Sequence, residues 1–270
     1  MTNIMNRRDF LKSGTAAGLA VAFAREAGAA GSSSLQPQRR KVLFVYGGWQ
    51  GHAPAACRDL FVPWMRQQGF EVVVSDSLDA YTDAELMRSL DLVIHIWTMG
   101  AITHEQVQGL TAAVRGGTGM AGWHGGMCDA FRGQTEYQFM TGGQWVAHPG
   151  DITDYTVNIT DPDDEVTSGL SDFSMHTEQY YMLVDPNNKV LATTTFSGKH
   201  VRWIEGCVVP VVWKKMYGKG RIFYSSLGHK IDDFDVPEAL EIQKRGILWA
   251  VESKHAETVN PIRPVYGKPA

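Results

Sequence analysis

The sequence has few cysteines, no run of like charge and no apolar stretch long enough to stay in a bilayer, and each shortage removes a class of function. The three cysteines, Cys57, Cys128 and Cys207, are an odd number without CxxC spacing. Neither a disulfide framework nor a structural zinc finger is therefore expected, although one bridge stays open in an oxidising compartment. Basic residues number 25 and acidic residues 29, with four and two of these in the first thirty positions, so the remainder carries a net charge of −6. With that mild acidity and no dense Lys/Arg run, nucleic acid and anionic membrane surfaces are not expected as partners. The apolar run from Thr15 to Ala24 is too short for a permanent span. No internal repeat or low-complexity linker divides the rest, so a single domain is expected over 41–254.

What is present begins with a targeting segment. Arg7 and Arg8 form a twin-arginine pair ahead of Phe10, Leu11 and Lys12, and the short apolar run ends near a small-residue Ala27-Gly28-Ala29 site. Residues 1–30 thus read as a signal peptide for twin-arginine export, 31–40 as a polar spacer and 255–270 as an extended tail. The expected destination is the periplasm or beyond, with the Tat translocase as a transient partner and no stable membrane anchor after cleavage. This route carries folded proteins, often with a cofactor in place, which suggests a bound group without identifying it.

The mature chain opens with continuous apolar runs alternating with amphipathic stretches. KVLFVYGG, FEVVVSDS, DLVIHIWTMG and GMAGWHGG read as strands buried on both faces, separated by helices at HAPAACRDLFVPWMRQQG, TDAELMRSL and THEQVQGLTAAVRGG. Pro63 should kink or break the first helix, while Thr82 with Glu85 and Thr103 with Gln106 form candidate capping boxes. Such alternation predicts an α/β, doubly wound, mostly parallel sheet, in which ligands sit beyond the carboxyl ends of the strands. Later strands are expected at DYTVNITD, at KVLATTTF and on either side of the Gly218–Gly220 turn, with a final helix in VPEALEIQKRGILWAVES.

The turn after GMAGW is where related geometries present a Ser or Cys nucleophile, but here the position holds His124. An imidazole is a metal ligand and proton carrier rather than an acyl nucleophile, and Cys128 is too far along to take its place. His52 and His229 likewise follow predicted strands by a glycine, and His148 lies in a Pro/Gly loop. In HTEQYY an extended backbone would send His176, Glu178 and Tyr180 to one face. The expected metal ligands are His124, His148, His176 and His229, with His124, Glu178 and His176 as the catalytic set. Trp49, Trp97, Trp123 and Trp145 fall near predicted rim loops, where indoles suit the C–H face of a sugar or simply close the core. The candidate substrate contacts are His52, Trp49, Trp123, Asp129, Tyr180 and Asp232, with Arg132 and Asp233 also at hand. His95, inside LVIHIW, reads as a hydrogen-bonded core side chain.

Taken in order, VLFVYGGWQGH, GMAGWHGG, AHPG, HTEQYY and GKGRIFYSSLGH followed by ILWA resemble the ThuA-like (trehalose utilisation) family, over about Lys41 to Ser253. The resemblance implies a flavodoxin-like fold of the class I glutamine amidotransferase-like superfamily without the catalytic cysteine. It further implies a role in sugar catabolism, with disaccharides oxidised to 3-keto derivatives, and it matches His124, His176 and His229 to the family's histidines. The expectation is an exported enzyme acting on a sugar or 3-keto-sugar as isomerase, epimerase, lyase or hydrolase. A divalent metal, zinc in the first place, would serve as cofactor, without a nucleotide. The alternatives are a non-catalytic carbohydrate-binding protein and a metal-free hydrolase using a carboxylate. Homo-oligomerisation is left open.

Overall fold

The computed structural model describes residues 39–256. The signal segment, nearly all of the spacer and most of the tail lie outside the described residues. Strands β1 (Lys41–Gly48), β2 (Glu71–Ser75), β3 (Leu92–Thr98) and β4 (Gly119–Trp123) alternate with helices α1 (Pro54–Gln67), α2 (Ala84–Ser89) and α3 (His104–Arg115), as the sequence pattern predicts. After β4 come two short helices, α4 (Gly125–Cys128) and α5 (Thr135–Thr141), then β5 (Gly143–Ala147), β6 (Ile152–Ile159), β7 (Phe173–Glu178) and β8 (Tyr181–Val184). The chain continues through β9 (Lys189–Thr195), β10 (Val208–Tyr217), β11 (Gly220–Ser225) and α6 (Pro237–Val251).

One sheet takes nine strands in the order β2-β1-β3-β4-β11-β10-β9-β6-β7. The first five run parallel, and β10, β9, β6 and β7 continue antiparallel. The central strands are buried on both faces, which is why they read as unbroken apolar runs. Val42, Phe44, Ile94 and Ala121 meet α1 and α6 through Phe61, Met65, Ile242 and Ile247 on one side. Leu43, Val45, Val93 and Met120 meet α3 and α5 through Leu110, Val114 and Met140 on the other. This is the doubly wound α/β domain expected.

Three local expectations change. Pro63 sits inside α1 without breaking it, because it lies on the exposed face, where the helical carbonyl it cannot partner is turned toward water. The N-cap of α2 is Asp83 rather than Thr82: the Asp83 carboxylate accepts from the amides of Glu85 and Leu86, while the Thr82 hydroxyl donates to the carbonyl of Asp79. At α3 the Thr103/Gln106 box forms in both directions. The separate β5–β8 ribbon has no counterpart in the predicted elements. Cys57, Cys128 and Cys207 are all free thiols, the first two buried.

The antiparallel half positions the site. Four strands separate β7 from β4 in the sheet, and at about 4.8 Å per strand a flat sheet would hold them roughly 24 Å apart. Instead Glu178, at the end of β7, lies 3.0 Å from His124, just past β4. The twisted sheet therefore coils until its far edge returns to the rim where the parallel strands end.

Candidate metal centre

Four side chains converge at that rim. His52 ends a short 3-10 turn after β1, His124 stands at the elbow between β4 and α4, His229 follows β11, and Glu178 closes β7. One ligand atom from each lies within 4.8 Å of the other three, and all four residues are buried. Glu178 Oε2 is the focus, at 3.0 Å from His124 Nε2, 3.3 Å from His229 Nδ1 and 4.0 Å from His52 Nε2.

The elbow is held under strain. His124 adopts φ 47 and ψ −144, a conformation that side-chain-bearing residues rarely take and that persists only where surroundings enforce it. The enforcing contacts are a hydrogen bond from the His124 backbone N–H to the Ser225 carbonyl at 2.7 Å and a Tyr224 hydroxyl donated to the His124 carbonyl at 3.1 Å. Gly125 must lack a side chain, since a Cβ there would stand 2.4 Å from His52 Cε1. The Gly-Trp-His-Gly-Gly pattern thus serves close approach of two imidazoles.

Protonation follows from the partners. His124 Nδ1 lies 2.7 Å from the Ser226 carbonyl, which only accepts, so Nδ1 carries the proton and Nε2 of the neutral ring points a lone pair at Glu178. Burial drives His124 toward that neutral form against the pull of Glu178. His52 is lowered to about 3 by burial and by the neighbouring His124 and His229, and its Nδ1 pairs with the Thr98 hydroxyl at 2.8 Å, leaving Nε2 facing inward. His229 Nδ1 is buried with no hydrogen-bond partner. Nε2 of neutral His124 thus meets the Glu178 carboxylate lone pair to lone pair, and with a ligand atom each of His52 and His229 close by, a divalent cation would convert that opposition into attraction. The donor set therefore fits a metal.

Asp233 braces the centre from behind. Its Oδ2 accepts from the amides of Gly228 (3.2 Å) and His229 (2.8 Å) and from the Thr177 hydroxyl (2.9 Å), tying the His229 turn to the end of β7. Asp233→Ala is expected to weaken divalent-ion binding by about 10–100-fold, the range typical for groups supporting metal ligands. Titration of the apo-protein with Zn²⁺ or Mn²⁺ checks this. Unchanged affinity would show that the His229 turn holds its shape unaided.

The other predicted residues are distributed differently. His176, expected as a ligand, points from the exposed part of β7 to Asp154 at 2.7 Å, because the face it shares with Glu178 is roofed only at the strand's end. His148 stands outside the four, with Nε2 3.7 Å from Glu178 Oε1, on the solvent side. Tyr180 is buried with its ring stacked on His124 at 4.0 Å. Trp49 is half-exposed and edge-on to His52 at 4.7 Å. Trp123, expected on the rim, is a core residue against Phe44, Phe61 and Phe234. Asp129 is taken up by Arg132, whose guanidinium also covers the Trp145 ring at 4.6 Å. Asp232 is exposed, and its neighbour Asp233 is the one turned inward. His95 is a core side chain whose Nδ1 pairs with the Tyr81 hydroxyl at 2.5 Å.

Comparison with known proteins adds the following. A family model described as ThuA, trehalose utilisation, matches residues 41–250, and a twin-arginine translocation signal matches residues 5–24. A ThuA-like protein from Bacteroides uniformis superposes with a TM-score of 0.67 at 15% identity, covering 86% of this chain and 99% of its own. Another, from Parabacteroides merdae, gives 0.65 at 18% identity, covering 82% and 93%. These likenesses show the fold. No curated protein matches.

Proposed function

The chain belongs to the ThuA (trehalose utilisation) family, and from that premise we propose that it is a metal-dependent enzyme acting on a sugar or 3-keto-sugar, in the disaccharide class. It is an exported protein of sugar utilisation: the matched signal directs it through the twin-arginine pathway, and among the described residues no helix is long and apolar enough to cross a membrane. The observation that carries the enzymatic reading is the convergence of His52, His124, His229 and Glu178, all buried and with one ligand atom of each within 4.8 Å of the others, which a binding protein for neutral sugars would have no reason to bury together.

His52, His124, His229 and Glu178 would hold the ion. When bound there, a divalent ion supplies a Lewis acid for a sugar carbonyl or hydroxyl pair. The protein's own part is positioning and proton transfer. Glu178 turns Oε2 to the three imidazoles and Oε1 toward His148, whose side chain is 30% exposed, so the pair links the buried centre to solvent. Tyr180 fixes the plane of the His124 ring by stacking, and half-exposed Trp49 offers an apolar wall beside His52. Removal of a proton beside a carbonyl is common to isomerisation, epimerisation and elimination.

The test is elemental analysis of protein purified without added metal, joined to turnover of oxidised and unoxidised disaccharides with and without chelator. The expected result is about one divalent ion per chain and turnover of a keto-sugar that chelation abolishes. A chain that takes up neither zinc nor manganese would overturn the metal-dependent reading. Full activity in chelator would instead favour carboxylate hydrolysis.

A further inference from the structure

Strand directions place one more loop at the metal-centre rim. β10 runs antiparallel to β11 and begins at Val208, four residues before Val212, which pairs with Ser225 at the carboxyl end of β11. β9 runs antiparallel to β10 with Thr195 opposite Val208. The connection 196–207 therefore overhangs the edge that also carries His124 and His229. Its base is closed by Phe196 and Cys207, with the Phe196 amide on the Cys207 carbonyl at 3.0 Å and the Gly206 amide on the Phe196 carbonyl at 2.9 Å.

The loop is tied to the centre from two sides. Gln179, next to Glu178, donates its side-chain amide to the Thr194 hydroxyl at 2.8 Å and to the Thr195 carbonyl at 3.3 Å. Nearer the tip, the His200 ring lies so close over Gly150 that a Cβ there would be 2.5 Å from it. Gly150 is two residues beyond His148, which faces Glu178. What this anchored loop presents is Trp203, 89% exposed on a 3-10 turn, with exposed Arg202, Lys199 and Glu205 about it. Of the eight tryptophans, the two that are exposed are Trp203 and Trp49. One is at His52 and the other is on the loop fastened beside His148 and Glu178, so each exposed indole is tied to a different member of the site.

We propose that Trp203 is the outer platform for the second ring of a disaccharide whose reacting ring lies at the imidazole cluster. This rests on the carbohydrate reading above. A pyranose turns an apolar C–H face toward an indole and its hydroxyls toward charged neighbours, and Trp203 with Arg202, Lys199 and Glu205 offers that combination. The reacting ring is held by the buried centre, so the platform discriminates by chain length: a one-ring sugar does not reach it.

Calorimetric binding to the mature holoprotein tests this, with trehalose and 3-keto-trehalose as two-ring probes and glucose and 3-keto-glucose as one-ring probes. Trp203→Ala is expected to weaken the two-ring ligands about tenfold while leaving the one-ring ligands unchanged, and Trp203→Phe should retain most of the affinity. Unchanged two-ring affinity, or an equal loss for both classes, overturns the proposal. So does a change of oligomeric state in light scattering with sugar affinity intact, which would make Trp203 a subunit contact. If the parent binds none of the four sugars, the carbohydrate reading falls, and the platform with it.

Discussion

Glu178→Gln is expected to give a folded protein whose affinity for a divalent ion is lower by more than about 100-fold, beyond the 10–100-fold typical of merely supporting residues. The substitution keeps shape and removes the sole carboxylate of the cluster. His124 Nδ1 is committed to the Ser226 carbonyl, so Nε2 remains a lone pair 3.0 Å from position 178. A glutamine amide can donate to that nitrogen, which relieves the opposition a carboxylate creates there. The two consequences diverge: metal affinity falls, while the melting temperature of the metal-free protein holds or rises. A general loss of folding would lower both. Titration with Zn²⁺ or Mn²⁺ and calorimetric melting of the apo-protein separate them, and parental metal affinity in the Gln variant would remove Glu178 from the proposed ligands.

How much of this was legible beforehand depends on whether a feature is local or returns from afar. The parallel core was readable because strands buried on both faces are continuous apolar runs, as in Val42 to Val45 and Leu92 to Ile94. The rim positions of His52, His124 and His229 followed from the same topology, since parallel strands end on one side. Alternation along β7 put His176 and Glu178 on one face, but it could not say that the far edge of the sheet coils back over β4 and roofs only the last residue. That closure is a property of accumulated twist over four intervening strands, not of any short segment. The choice between Asp232 and Asp233 was likewise invisible, because adjacent aspartates in a 3-10 turn differ only in which one meets the amides of Gly228 and His229. Trp123 misled for a related reason: an indole one residue before the elbow is as well suited to the core beneath a rim as to the rim itself.

The second large effect lies far from the cluster in chemistry but supports the same antiparallel half. Asp164→Ala is expected to destabilise the fold by about 3–5 kcal/mol, the cost of removing one partner of a buried ion pair, or roughly 10 °C in melting temperature for a domain of this size. Lys214 lies in β10 with its side chain only 3% exposed, and its Nζ meets Asp164 Oδ1 at 2.6 Å. Asp164 Oδ2 takes Lys189 of β9 at 2.6 Å, so one carboxylate bridges lysines on two adjacent strands. Without it the Lys214 ammonium keeps only the exposed Glu165 at 3.3 Å and the Trp249 ring at 4.5 Å. Burial would raise the Asp164 carboxyl, but the hydrogen bonds from Lys189 and Lys214 prevail and lower it. Because its folded pKa lies below the unfolded one, the unfolded chain binds more protons between the two values. The pair's contribution is therefore complete above about pH 4, the ordinary carboxylate range, and fades as the pH falls below it. Combining Asp164→Leu with Lys214→Met removes both buried charges and should recover much of the loss. A single alanine variant melting within about 2 °C of the parent would mean that Lys214 finds water or Glu165 at little cost, and that the pair does not hold β9 and β10 in place.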